Sequence, residues 1–336
     1  MQHSPKLYFS FSMQTTDVLI IGAGISGLLC ASELQRAGKT VRVLDKGRGL
    51  GGRMATRRMA GGRLDHGAQF FTVRDGRLKA YADEWLAAGV IKKWYRHTPG
   101  YRDPAGHARY CGINGMTDAP KYLAQSLDVR TSEPVVELVR GLDGWIVLSQ
   151  HGNRYGTKHL VITVPLPQAL GLLHTSGLDY AGDQTEALRA VRYERGLATL
   201  AILDGPSGLA APGALKLSEA PLTWIADNQK KGISPDVSAI TIHADADFAE
   251  AHWDSPDGVR GAQMLEAAAP YLGAKVLEFS CHRWGFTLPI NPWSEPYFQN
   301  AGLQLTLAGD AFGGARVEGA ALSGIEAAAA VLDVTV

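Results

Sequence analysis

The chain has 336 residues, enough for about two domains around a large core. Its 33 basic and 33 acidic residues balance, and 46% hydrophobic with 20% charged is ordinary globular composition, which argues against a general surface for nucleic acid or anionic membrane. No apolar run approaches the roughly 20 residues of a membrane-spanning helix, and Cys30, Cys111 and Cys281 are too few and too scattered for a disulfide framework or a metal site, which fits a reducing cytoplasm.

Residues 1–12 carry only Lys6 and a five-residue apolar patch, too short for a secretory signal, so Met13 is an expected start after a disordered extension. The apolar run 18–21 reads as a strand and leads into Gly22-Ala23-Gly24-Ile25-Ser26-Gly27, followed by a helical pattern. A second run, 40–44, ends at Asp45. This is the spacing of a dinucleotide-binding βαβ unit: Gly22 allows a tight turn, Gly24 lets the backbone approach a pyrophosphate, and Gly27 lets helix and strand pack closely. The diphosphate is expected on the helix N-terminus. Asp45 can accept both ribose hydroxyls of an AMP half and would repel a 2′-phosphate.

Directly after Asp45 come Lys46, Gly47, Arg48, Gly49, Leu50, Gly51, Gly52, Arg53, Met54 and Ala55, a glycine pair between two guanidinium groups suited to paired phosphate oxygens. Residues 135–139, 145–149 and 159–164 read as a β-meander that Pro165 and Pro167 terminate. Residues 197–203, 222–226 and 239–244 read as strands, and 259–269 as a helix ending before Pro270. The run 303–308 then delivers Gly309-Asp310, a glycine-rich turn, and a small-residue helix opening with Glu318, Gly319 and Ala320. Asp310 is placed to accept from a ribityl hydroxyl, and the helix start can aim its positive end at N1 and C2=O of an isoalloxazine. A nicotinamide dehydrogenase has no particular need of the loop after Asp45, so these segments favour FAD.

The βαβ unit, the Gly-Gly-Arg loop and the closing Gly-Asp strand and helix resemble the flavin-containing amine oxidase superfamily at both ends of the chain. Between them, 64–72 looks like the segment whose backbone passes the flavin ring, which would put Ala68, Gln69 and Phe70 against it, and 133–136 looks like the strand that contacts adenine, with Val135 on it. Within the superfamily, 65–72, 222–232 and 282–286 are similar to the renalase-like branch. The resemblance implies a noncovalent FAD oxidase that takes hydride from misreduced nicotinamide dinucleotides at flavin N5 and passes the electrons to oxygen, forming hydrogen peroxide.

The fold expected is α/β: a Rossmann-like FAD-binding domain of the glutathione-reductase type, discontinuous over 14–74, 128–167 and 287–336, with a second, mixed α+β substrate domain from 75–127 and 168–286. Arg283 and Trp284 could pair with a substrate phosphate and stack on a nicotinamide ring, or be a snorkelling Arg beside a buried Trp. His66, His243 and His282 read first as satisfied core histidines, Trp224 and Trp253 as core, and Lys230-Lys231 as a solvated loop. Gln69, Phe70, Arg283 and Trp284 are the residues expected at the reaction. An amine oxidase is the first rival, although the turn 312–316 lacks the cysteine that would attach flavin covalently. A polyene desaturase would need a membrane-binding apolar face, and a flavin-binding sensor without turnover is the rival from another class. The expected partners are a small-molecule substrate and oxygen, with no nucleic acid, no membrane and no metal, in the cytoplasm.

Overall fold

The computed structural model describes residues 14–97 and 106–334; Met13 and the segment before it lie outside the described residues. Strand Gln14–Ile21 runs parallel to Val41–Leu44 on one side and to Arg154–Ile162 on the other, and Asp128–Arg130 and Leu305–Leu307 extend the parallel set to five. Residues 18–21 form an unbroken apolar run because both faces of this sheet are covered. Val18 and Ile20 enter a core shared with helices Ile25–Arg36 and Val317–Val334, while Leu19 and Ile21 enter a second core with Trp145, Leu160, Leu170 and Leu305.

Arg154–Ile162 is longer than the expected strand and does two jobs. Its first half pairs antiparallel with Trp145–Ser149 in the meander, and its second half pairs with Leu305–Leu307. Pro165 caps the helix Leu166–Thr175, whose first turn tolerates Pro167 because the missing N–H is one a helix start leaves unpaired anyway. The two helices of the nucleotide unit cross at small residues: a Cβ on Gly324 would lie 2.1 Å from the Ser26 carbonyl oxygen.

The second sheet is antiparallel, in the order Ala214–Lys216, Leu222–Asp227, Ala239–Ala244, Gly196–Leu203, Val276–Trp284. Along Gly196–Leu203, Leu197, Ala201 and Leu203 face helix Asp257–Leu272, whereas Leu200 and Ile202 face hairpin Thr56–Met59/Gly62–Asp65 through Met59 and Leu64. That helix passes through Pro270, where the sequence predicted a stop. Pro270 falls in the last turn, and Gly273, at φ +69°, closes the helix just beyond it. Residues 75–127, grouped above with the substrate domain, contribute Leu78, Tyr81, Trp85, Met116 and Leu123 to the core of the nucleotide unit.

Candidate functional site

A cavity of about 670 Å³ lies where the two sheets meet, within the range of roughly 300–1,000 Å³ usual for ligand sites. Its nucleotide side is built by loops at the carboxyl ends of the parallel strands, where such sheets bind ligands. Gly24, Ile25 and Ser26, then Gly51, Arg53 and Met54, then the segment 66–72, and finally Thr163, Gly309, Asp310 and 315–318 with Ala320 line it.

The glycines divide by function. A Cβ on Gly27 would lie 2.0 Å from the Gly22 carbonyl oxygen, and one on Gly22 (φ +115°) would lie 2.7 Å from Thr163 Oγ1, so both serve packing and turn geometry. A Cβ on Gly24 would meet nothing within 4 Å and would project from a residue that lines the cavity. Asp45 Oδ2 accepts from the Ala23 N–H at 2.7 Å and Oδ1 from the Gly47 N–H at 2.6 Å. This fixes the carboxylate at the strand end and leaves lone pairs for another donor. The Glu133 N–H donates to the Asp45 backbone carbonyl, which brings the segment leading into strand Val135–Arg140 next to the Asp45 main chain. Asp45 and Val135 stand outside the cavity proper, as do Lys46, which donates to Gln168 Oε1, and the exposed Arg48. Gly52, at φ +53°, turns the loop so that Gly51 pairs with Gly24.

Folding joins the two ends of the chain at Arg53. Its guanidinium forks onto both Asp310 oxygens at 2.5 and 2.7 Å, and the Tyr193 hydroxyl donates to Asp310 Oδ1 at 3.0 Å. Burial would lower the Arg53 pKa, but Asp310 offsets this and raises it above the usual value, while burial and the same carboxylate push Tyr193 well up. At the start of the C-terminal helix, Glu318 Oε1 accepts from the Arg74 and Asp75 N–H groups. Gly319 packs against Gly313, and its neighbour Ala320 reaches the cavity.

The opposite wall is aromatic. Trp284 stacks on His66 with centroids 5.1 Å apart and donates from Nε1 to the His66 carbonyl at 2.9 Å; His282 meets both rings edge-on. Phe70 packs on Trp224 at 5.7 Å. Burial is the main force holding His66 down to about 3, with His282 and Arg57 adding to it. His243 is held at about 4 by burial, with Lys231 contributing, so these imidazoles are neutral at pH 7. Strand alternation separates the expected pair 283/284: Trp284 points into the cavity, while Arg283 lies on the other face of the strand, its guanidinium 5.4 Å from the Trp253 ring, and does not line it. The Gln69 side chain turns back on its own loop, donating from Nε2 to the carbonyls of Asp65 and Gly67.

Several lining residues were not singled out from the sequence as site residues: Thr163, Glu194, Lys216 and, read as core, Trp224 and His243; Trp224 is buried in a core cluster and lines the cavity as well. No local motif marks them: Thr163 follows a strand of the parallel sheet, Glu194 precedes strand Gly196–Leu203, and Lys216, Trp224 and His243 converge through pairing in the second sheet. Lys231, expected in a solvated loop, is completely buried and ion-paired with Asp65 at 2.6 Å.

The residues fit FAD on three structural observations: the open face of Gly24, the acceptor capacity left on Asp45 and Asp310, and the buried Ser26 hydroxyl, which has no partner among the described residues. Among the described residues no group of three or more His, Cys, Asp or Glu could hold a metal ion, and no helix is long and apolar enough to cross a membrane.

Comparison with known proteins supplies the remaining findings. An NAD(P)-binding Rossmann-like domain matches residues 20–85, and the flavin containing amine oxidoreductase family matches residues 100–332. Renalase from Mus musculus is 25% identical over 289 residues, 80% of this chain and 84% of the mouse protein. Putative protoporphyrinogen oxidase from Exiguobacterium superposes with a TM-score of 0.70 at 13% identity, covering 96% of this chain and 99% of its own. Putrescine oxidase in its structure with putrescine also gives 0.70, at 15% identity, covering 96% of this chain and all of the other. These last two show likeness of fold.

Proposed function

Since this chain belongs to the flavin containing amine oxidoreductase family, and is thus an FAD-dependent oxidoreductase with an α/β fold, we propose that it is a renalase-like oxidase of dihydronicotinamide dinucleotide isomers. The observation that carries this reading is the wall of flat rings beside the segment 66–70, the His66–Trp284 stack and the Phe70–Trp224 pair, with its imidazoles held neutral by burial. A planar dihydropyridine suits such a wall. Hydride loss from it needs orientation more than a side-chain base. The likeness to mouse renalase along most of the chain supports the same substrate class.

Bound noncovalently, FAD would supply the two-electron acceptor and return the electrons to oxygen as hydrogen peroxide. The chain's own residues would do the rest. Gly24 and Ser26 would receive the diphosphate, Asp45 the adenosine ribose and Asp310, held by Arg53 and Tyr193, the ribityl chain. Val317 and Glu318 would present the helix start to the pyrimidine side of the ring. Trp224, Phe70, His66 and Trp284 would exclude water and hold the substrate ring face-on.

A second reading, amine oxidation, has one observation in its favour. Glu194 lines the cavity, and its carboxylate has no partner among the described residues, so it could receive an ammonium group. Anaerobic stopped-flow mixing of the yellow holoenzyme with 2- and 6-dihydro-NAD, ordinary NADH and a panel of amines separates the two. Rapid bleaching by the dihydro isomers alone is the expected result. Bleaching by an amine alone would refute the proposal and make Glu194 the specificity residue.

A further inference from the structure

Lys231 and Asp65 form an ion pair with neither side chain exposed to solvent, next to the cavity wall. A buried pair of this kind contributes little net stability, because desolvation of both charges offsets their attraction. Its value here lies in what else the ammonium holds. Lys231 Nζ donates to Asp65 Oδ2 at 2.6 Å and to the Gln69 carbonyl at 2.5 Å, and stands 4.7 Å from the centroid of the Trp94 ring. Asp65 is fixed in turn: Oδ1 accepts from Thr56 Oγ1 at 2.6 Å and from the Met116 N–H at 2.8 Å, and its carbonyl accepts from Gln69 Nε2 and Thr241 Oγ1. Asn228 braces the base of the Lys231 loop, with Nδ2 donating to Thr241 Oγ1 at 3.0 Å.

The Gln69 carbonyl belongs to the peptide that carries the Phe70 N–H. In a planar trans peptide these two groups point in opposite directions. Anchoring the carbonyl to Lys231 therefore turns the Phe70 N–H away from the Lys231 loop. That N–H has no acceptor among the described residues, while Gln69 and Phe70 both line the cavity.

We propose that Lys231 is a positioning residue: paired with Asp65, it locks the Gln69–Phe70 peptide so that the Phe70 N–H is offered as a hydrogen-bond donor to the flavin ring. This rests on the reading of 66–70 as the ring-facing segment and is independent of which substrate is oxidised. It also gives the buried charge a role: the ammonium makes two short charge-assisted bonds, one holding Nζ on Asp65 and one holding the Gln69 carbonyl, and a side chain without a donor there would leave that carbonyl without this anchor.

The test follows the Phe70 amide in protein labelled with ¹⁵N-phenylalanine, its resonance assigned by loss in F70Y. In the wild-type protein this amide is expected to move downfield when FAD is added. K231M alone leaves a buried carboxylate unpaired and is expected to fold poorly, so the decisive variant is K231M/D65N, which removes both charges. It is expected to fold cooperatively, to lose the FAD-dependent shift of the Phe70 amide, to bind FAD roughly tenfold more weakly, the order expected for one hydrogen bond, and to be reduced about 10- to 100-fold more slowly, the scale of a misplaced reacting group. A Phe70 amide that shifts normally in the double variant, with wild-type reduction, would overturn the proposal and leave the pair a structural tie alone. A wild-type Phe70 amide that ignores FAD would remove the ring-facing reading of the segment, and this inference with it.

Discussion

Replacing Arg53 with methionine tests whether the two ends of the chain are locked through Asp310. The guanidinium makes two charge-assisted bonds, at 2.5 and 2.7 Å, to a carboxylate that is 9% exposed, and is itself 29% exposed. Bonds of this type contribute about 1.5–3 kcal/mol each, and breaking a fully buried pair costs about 3–5 kcal/mol. Partial solvation of Arg53 places the loss at the low end, about 3 kcal/mol. With an unfolding entropy of about 2.1 cal/mol/K per residue, that corresponds to a fall in Tm of roughly 4 °C for a chain of this length. Urea unfolding of the apoprotein measures the energy directly, and fluorescence titration with FAD reports whether Asp310 is still held for the ribityl chain. In R53M/D310N no charge is left stranded, so most of the loss is expected to return, giving a coupling of at least about 1.5 kcal/mol. Losses of R53M and D310N that simply add in the double variant would refute the argument, because the two groups would then be acting independently.

Gly24 and Gly27 should behave oppositely on substitution by alanine. G24A is expected to unfold like the wild type and to bind FAD at least tenfold more weakly, since its methyl enters open cavity, whereas G27A is expected to destabilise the apoprotein because its methyl meets the Gly22 carbonyl oxygen at 2.0 Å; paired melts and FAD titrations read both, and a G24A protein with undiminished affinity would contradict the cradle. Stability should fall as the pH drops. His66 and His243 are held at about 3 and about 4 against an ordinary value of 6.5, so the unfolded chain gains protons first and the contribution of each is lost on descending from about 6.5 toward those values. The slope approaches about 1.4 kcal/mol per pH unit for each imidazole, and an unfolding free energy that stays flat between about pH 6 and pH 4.5 would count against buried neutral histidines. W284A should raise the substrate Kd, measured by anaerobic titration with a non-reducible nicotinamide analogue, by about tenfold, the value of one lost ring stack; unchanged binding would separate Trp284 from substrate recognition.

The nucleotide half of the fold was legible in the sequence because its signals are local. An apolar strand, a glycine-spaced turn, a helix and an acid at a strand end lie within about thirty residues, and each places atoms through its own backbone. The Gly-Gly-Arg loop and the Gly-Asp turn were legible for the same reason, and both line the cavity. What the sequence could not hold was the meeting of these pieces. Arg53 and Asp310 are 257 residues apart, and no local pattern pairs them. The same holds for Lys231, which reads as loop composition and becomes fully buried against Asp65 only when the second sheet docks on hairpin Thr56–Met59/Gly62–Asp65. Strand alternation at 283 and 284 needed the sheet's orientation before one residue could be assigned to the cavity and the other to the Trp253 face. Cofactor type and fold class thus follow from backbone geometry encoded over short spans, whereas the aromatic wall of the cavity is brought together by long-range strand pairing. Phe70 and Trp284 stand in segments the sequence marks, but Trp224 and His243 read only as core, since their place in the wall arises from burial and from neighbours supplied by distant parts of the chain.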